Sequence, residues 1–329
     1  MKRYRIIIVM AITFINSFGL LAQKPETNIS AEFPFATKIQ VVNGTSIFYY
    51  EQGQGDPILF LHGIPSSSYL WRNIIPLVST QGRAIAFDLA GYGKSGIPPN
   101  NDYSILSQYS YVKGFIDSLQ LKNITLVVND LGSLLGLKYA IENPSNIKRI
   151  VFIEAAFMPT ELWYKQLTLV QKIMFKMMRN PKRAEKLIVT KNKIPPMMMK
   201  MAIKRKLSDV EMKRYLEPFE NSIERRKVML YGPGPATFPK KGISQVKGDF
   251  ADEINKIAIG LKYINETKPF LLFYASPGMI TRKPAVEYAK QNFKNLTLIS
   301  VGKGKHFLQE DHPNAIADGI VNWMKNNNN

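Results

Sequence analysis

The amino-acid sequence predicts an α/β fold: a mostly parallel central sheet with helices on both faces and an inserted helical cap. Short apolar runs bounded by turn residues recur along the 329 residues, and such runs suit strands buried on both faces. Segments of helical length and periodicity separate most of them, and strand–helix alternation builds a parallel sheet. The alternation breaks once, from about 156 to 231, where the sequence is rich in Met, Lys and Leu and offers no convincing strand.

Residues 38–42 and 46–51 alternate around Asn43-Gly44, which reads as a hairpin. Buried strands follow at 58–61, 84–87, 124–128, 150–153, 270–274 and 296–301, with helices between them such as 131–143 and 284–291. Pro181, Pro195-Pro196 and Pro218 punctuate the helical stretch. It reads as a cap (156–235) inserted between two parts of one core, 32–155 and 236–325, and not as an independent domain. Met174, Met177, Met178, Met197, Met198 and Met199 suit core filling, although flexible Met also suits a pocket roof. Residues 326–329 read as a frayed, disordered tail.

With 45% hydrophobic residues the chain buries a sizeable core, and 21 Gly and 20 Pro are close to ordinary usage, which excludes disordered and collagen-like classes. It has no Cys, which removes disulfides, Cys-ligated zinc, iron–sulfur clusters and thiol nucleophiles together. Its histidines are His62, His306 and His312 alone, too few for a His-rich metal site, and no cofactor or metal is expected.

Residues 1–22 stand apart. Lys2, Arg3 and Arg5 precede an uncharged apolar run to Leu21, followed by the small Ala22, the layout of a secretory signal peptide. The alternative is a retained anchor, but a span needs about 20 apolar residues, and this run is broken by Asn16 and Ser17. Export, to the periplasm or beyond the cell, is the expectation. The net charge of +19 is uneven: between 165 and 214 fifteen Lys and Arg face only Glu185, Asp209 and Glu211. A solvated basic face is the first reading and contact with an anionic surface the second. Nucleic acid is a poor partner, since no recognition motif accompanies the charge.

In open α/β sheets reactive groups gather just beyond the carboxyl ends of strands. Three such turns carry chemistry: His62-Gly63-Ile64-Pro65, Asn129-Asp130-Leu131-Gly132-Ser133, and the glycine-rich turn that ends at His306. The second is a strand, a sharp turn and a helix, a nucleophile elbow with a carboxylate in place of a hydroxyl. Gly132 leaves room for the turn, and the Leu131 amide at the start of the helix faces developing negative charge. Attack by Asp130 on carbon gives an ester that water cleaves, so one hard displacement becomes two easier ones. The alternative is that Asp130 only caps the helix.

His306, after the last strand and before the final helix, is placed to act as general base on that water. His62 is expected to order its loop, and His312 to begin the last helix. An imidazole base needs an acid to hold its tautomer. The strand ending at Tyr274 is followed by Ala275-Ser276-Pro277-Gly278, without a carboxylate, whereas the strand ending at Ile153 is followed at once by Glu154. Glu154 is therefore the orienting acid, against the alternative of a simple exposed Glu at a strand end. One decoy falls away. Gly91-Tyr92-Gly93-Lys94-Ser95-Gly96 spells a dinucleotide motif, but Ile97-Pro98-Pro99-Asn100 follows and cannot begin the helix that cradles a pyrophosphate. It reads as a loop beside the active site.

His62-Gly63-Ile64-Pro65 with Ser66 to Trp71, Asp88 to Gly96, Asp130 at its elbow, Glu154-Ala155-Ala156, Tyr215 to Phe219 with Arg225-Arg226, and Lys305 to Asp311 together resemble the haloalkane dehalogenases of the α/β-hydrolase superfamily. The resemblance covers about 32–325, cap included, and the related coelenterazine luciferase shares these landmarks. It implies the α/β-hydrolase fold, with Asp130 as nucleophile, His306 as base, Glu154 as acid and the backbone N–H groups of Ile64 and Leu131 as oxyanion hole. The implied substrate is small and hydrophobic, water is the second reactant, and a monomer is expected. Two positions depart from the family, which places halide-gripping Trp and Asn side chains where this chain has Leu131 and Ile64. Trp163 in the cap is an alternative donor. Two other readings stay open: epoxide hydrolysis, with Tyr164, Tyr215 or Tyr231 as phenolic donor, and a ligand-binding descendant that has kept the triad without turnover.

Overall fold

The computed structural model describes residues 29–99, 102–178, 180–231 and 249–327. The expected leader, 1–22, and the expected boundary between cap and second core part, at 235/236, lie outside the described residues, as do the side chains of Met174, Met177 and Met178.

The chain opens with the antiparallel pair β1 (Thr37–Val42) and β2 (Thr45–Gln52). They are joined through Asn43 and Gly44 at φ 48° and 77°, the left-handed pair that a two-residue hairpin turn requires. Next come β3 (Pro57–Leu61), α1 (Ile75–Val78), β4 (Arg83–Phe87), α2 (Ile105–Ser118), β5 (Ile124–Asp130), α3 (Leu131–Glu142) and β6 (Ile147–Ala155). Six helices follow: α4 (Thr160–Gln166), α5 (Leu169–Met178), α6 (Pro181–Glu185), α7 (Ile194–Ala202), α8 (Asp209–Glu220) and α9 (Ile223–Tyr231). The chain closes with α10 (Asp249–Ile264), β7 (Phe270–Pro277), α11 (Lys283–Asn292), β8 (Leu296–Gly304), α12 (Leu308–Asp311) and α13 (Pro313–Asn326).

The eight strands form one sheet in the order β1-β2-β4-β3-β5-β6-β7-β8, parallel from β4 to β8. Alternation along each strand sorts its side chains between the faces. Leu59 and Leu61 join one core cluster with α2, α3, α10 and α11. Ile58 and Phe60 join another, with α1 and α13. The strand order reverses between β3 and β5, and at such switch points the loops on either side part to leave a crevice.

Three expectations change. Pro218 does not interrupt the helical stretch but sits inside α8; it falls in the last turn, where the guanidinium of Arg226 donates to the carbonyls of Phe219 and Glu220. Asn326 ends α13, and Asn327 caps it with its backbone N–H on Met324 and its side chain on Trp323. The frayed tail therefore does not begin before 328. The strands also run longer: β6 reaches Ala155, so Glu154 lies within it.

Candidate active site

Asp130 ends β5 with φ 48° and ψ −121°. A left-handed φ on Asp is strained and persists only where its surroundings hold it. Two glycines make the space. A Cβ on Gly63 would stand 2.2 Å from that of Asp130, and one on Gly132 would stand 2.6 Å from the carbonyl oxygens of Leu61 and His62. The Asp130 side chain makes no capping bond to α3, which sets the helix-cap alternative aside. The hydroxyl of Ser133 donates to the Asp130 carbonyl and accepts the Ala156 N–H, which ties the elbow to the end of β6.

Oδ1 of Asp130 accepts the Ile64 N–H at 2.9 Å, and the Leu131 N–H lies near enough to help stabilise the carboxylate charge. Oδ2 lies 3.5 Å from Nε2 of His306, and Nδ1 of the same ring lies 3.3 Å from Oε2 of Glu154. Side-chain exposure falls along this row from 23% at Asp130 to 7% at His306 and 0% at Glu154. Asp130 is thus the member of the three most open to a bound molecule.

Glu154 also has a left-handed backbone, φ 48°. Its carboxylate accepts three consecutive N–H groups, from Met279 at 3.0 Å, Ile280 at 2.6 Å and Thr281 at 3.3 Å. These come from the turn after β7, the strand end that carries no acid of its own. Burial removes the alternative of an exposed Glu at a strand end. The backbone N–H groups of His306 and Phe307 both donate to Ala202, at the end of α7, at 2.8 and 3.1 Å.

Burial opposes charge on Asp130 and His306, and their pairing outweighs it. His306, with the N–H groups of Ile64 and Leu131, holds Asp130 below the ordinary carboxylate range. Against burial, Asp130 and Glu154 hold the imidazole up at about 9. At neutral pH the pair stands as carboxylate and imidazolium.

The other sequence-marked residues divide. His62 orders its loop: Nε2 accepts the Leu89 N–H at 2.9 Å and Nδ1 donates to Gly63 at 3.0 Å, with burial lowering its pKa. His312 stands at the start of α13. Asp88 ties the glycine-rich loop to the 62–68 turn by accepting N–H groups from Ser68 and Lys94, both at 2.7 Å. Trp163 is half-buried against the core, Tyr231 is exposed, and Tyr164 lies under the ammonium of Lys172. Tyr215 is buried, and its hydroxyl donates to Glu310.

Two features escaped the sequence. Arg72, just after the first helical turn, bonds Glu310 at 2.6 Å and Glu211 at 2.7 Å, and Arg205 bonds both acids as well. With the Asp311 carboxylate accepting the N–H groups of Lys204 and Arg205, this buried cluster fastens the cap to the segment that follows His306. The second is Tyr92, in the glycine-rich loop. Its ring stands edge-on to His62 at 5.8 Å, and its hydroxyl is buried without a hydrogen-bond partner. Burial and the charge of Asp130 both push its ionisation far above the ordinary phenol range.

A switch-point elbow bearing a carboxylate, an imidazole from the last strand and a buried acid define a hydrolase of the α/β class. Comparison with known proteins agrees. A family model described as alpha/beta hydrolase fold matches residues 56–313. A haloalkane dehalogenase of Mesorhizobium japonicum is 33% identical, over 89% of this chain and 92% of its own. One from Agrobacterium fabrum is 30% identical, over 85% and 89%. Among solved structures, the haloalkane dehalogenase DbeA from Bradyrhizobium elkani superposes with a TM-score of 0.79 at 31% identity, covering 89% of this chain and 99% of that one. DatA from Agrobacterium tumefaciens gives 0.78 at 29%, covering 88% and 97%. The chain belongs to the α/β hydrolase fold family, as one of its haloalkane dehalogenase-like members. Among the described residues no helix is long and apolar enough to cross a membrane.

Proposed function

We propose that the protein hydrolyses small haloalkanes through an alkyl ester on Asp130. The observation that carries this reading is the row of Asp130, His306 and Glu154 with Oδ1 already held by the Ile64 N–H. Oδ2 attacks the carbon, the C–O bond forms as the carbon–halogen bond breaks, and the halide leaves with the electron pair. Esterification removes one of the two charges that kept His306 protonated, so the imidazolium loses its proton to solvent along with the departing halide, and the neutral ring becomes a base. It then takes a proton from water attacking the ester carbonyl carbon. Negative charge builds on Oδ1, where the N–H groups of Ile64 and Leu131 stabilise it. Collapse releases the alcohol and restores the carboxylate.

The leaving atom needs a donor, and neither Ile64 nor Leu131 has one in its side chain. We assign that role to the Tyr92 hydroxyl, which is buried without a hydrogen-bond partner and close enough to feel the Asp130 charge. A phenol there also suits protonation of an opening epoxide, the second reading, for which Tyr215 is already committed to Glu310. Intact-protein mass spectrometry after exposure to bromoalkanes and epoxides, with product analysis, separates the cases. Alcohol from bromoalkanes supports the first reading, diol from epoxides alone supports the second, and binding without turnover of either makes the chain a ligand-binding descendant. Export goes with this reading. N-terminal sequencing of the protein recovered from cells is expected to begin at Gln23; a chain starting at Met1 overturns it.

A further inference from the structure

We infer that the outer face of α5, with the cations around it, docks on the surface of an anionic lipid bilayer. Gln171 turns one side of this helix to the protein, its amide donating to Met279 at 3.5 Å. By the helical period Leu169 and Ile173 lie opposite Gln171, with Val170 beside them. Their exposures are 73%, 49% and 61%. Side chains of this type usually fill cores, and a contiguous aliphatic face left open marks an interaction surface.

Charge identifies the partner. From 162 to 184 the sequence has six Lys and Arg and no acid. Lys176 is exposed on the same face, one turn beyond Ile173, and Lys182 and Arg183 are exposed in the segment that follows, while Lys165 before it pairs with Glu161 at 3.0 Å. A lipid surface answers both properties at once: aliphatic side chains enter the boundary of the acyl chains while ammonium groups meet anionic head groups. Protein interfaces are poor in Lys at their centre, and a second copy would present the same positive charge and repel this one. The helix lies beside the site, because Gln166 of α4 and Gln171 of α5 both bond the turn whose N–H groups hold Glu154. Docking would set the cap against the phase in which apolar substrates dissolve. The inference does not depend on turnover at Asp130.

Because the chain has no cysteine, Val170→Cys gives one attachment point for a polarity-sensitive fluorophore. Asp117→Cys, at an exposed position of α2, is the control. The expected result with the full chain is a blue shift at 170, and none at 117, on vesicles of phosphatidylglycerol and phosphatidylcholine. On phosphatidylcholine alone, or in high salt, the shift should be lost. Lys176→Gln with Lys182→Gln and Arg183→Gln should weaken vesicle affinity roughly tenfold or more, and Leu169→Ser with Ile173→Ser should abolish the shift. Binding through the leader does not count as this result, because vesicle binding without a shift at 170 overturns the inference. So does an equal shift on phosphatidylcholine alone. A shift without lipid that grows with protein concentration also overturns it and makes a second copy the occupant.

Discussion

Nε2 of His306 stands 3.5 Å from Oδ2 of Asp130, on the carboxylate oxygen that the Ile64 N–H does not take. One oxygen is thus held by a backbone N–H and the other faces the imidazole, as the proposed oxyanion and base require. In His306→Phe, attack by Oδ2 should persist while ester hydrolysis stops. Mass spectrometry after incubation with a bromoalkane should show one alkyl group on the peptide containing Asp130. An unmodified protein, or mass on another peptide, would rule out the covalent route.

Glu154→Gln should lower ester hydrolysis by on the order of a thousandfold or more, since the imidazolium loses its buried counter-charge. The three N–H donors at 279–281 would also face an amide that offers one acceptor oxygen, at a cost of about 1–3 kcal/mol in stability. Single-turnover rates and thermal unfolding measure the two effects separately. A folded variant with normal rates would place the acid elsewhere.

The imidazole of His306 should titrate at about 9 in the free protein and much lower in Asp130→Asn, where the paired charge is gone. NMR of the ring protons measures both. The raised value also sets a sign for stability. The contribution of His306 is complete below its unfolded pKa of about 6.5 and is lost as pH rises through about 9. Unfolding free energy should therefore decline on the alkaline side more in the parent protein than in Asp130→Asn.

Tyr92→Phe removes a hydroxyl and little else. Ester formation from chloroalkanes should fall by about a hundredfold, the typical effect of one preorganised donor, and less for bromoalkanes, whose leaving group needs less help. Ile64→Asn should partly restore it by adding a side-chain donor. Equal chloroalkane rates in parent and Tyr92→Phe would assign the leaving-group contact to another residue.

Breaking the buried cluster on one side should be costly. Glu310→Gln leaves Arg72 short of a counter-charge and should destabilise the fold by about 3–5 kcal/mol. Urea unfolding measures this. A loss below 1 kcal/mol would mean that the cluster relaxes to admit water.

The residues at strand ends are legible in the sequence because each follows an apolar run: Asp130 stands two residues before Gly132, Glu154 comes at once after Ile153 where the other late strand end has no acid, and His306 closes the glycine-rich turn after the last strand. The cluster is not, because Arg72 and Glu310 are 238 residues apart and no periodicity joins them. The donors to Glu154 were invisible for another reason: they are backbone N–H groups, which leave no mark in residue type. Tyr92 lay inside a motif rejected as a dinucleotide site, and nothing in its spacing distinguished a loop aromatic from a group beside the nucleophile.

The division of labour at Nδ1 of His306 bears on how such a site changes over descent. One strand end supplies the negative charge and the neighbouring strand end supplies the cradle that receives it. Both strand ends already meet at the Glu154 carboxylate that bonds Nδ1, so an acid arising in the 278–281 turn would stand beside that carboxylate. Two carboxylates there would repel, and the older one would be free to drift away. On the proposed roles, the acid is the member of the three free to move from one strand end to the next while Asp130 and His306 stay where they are.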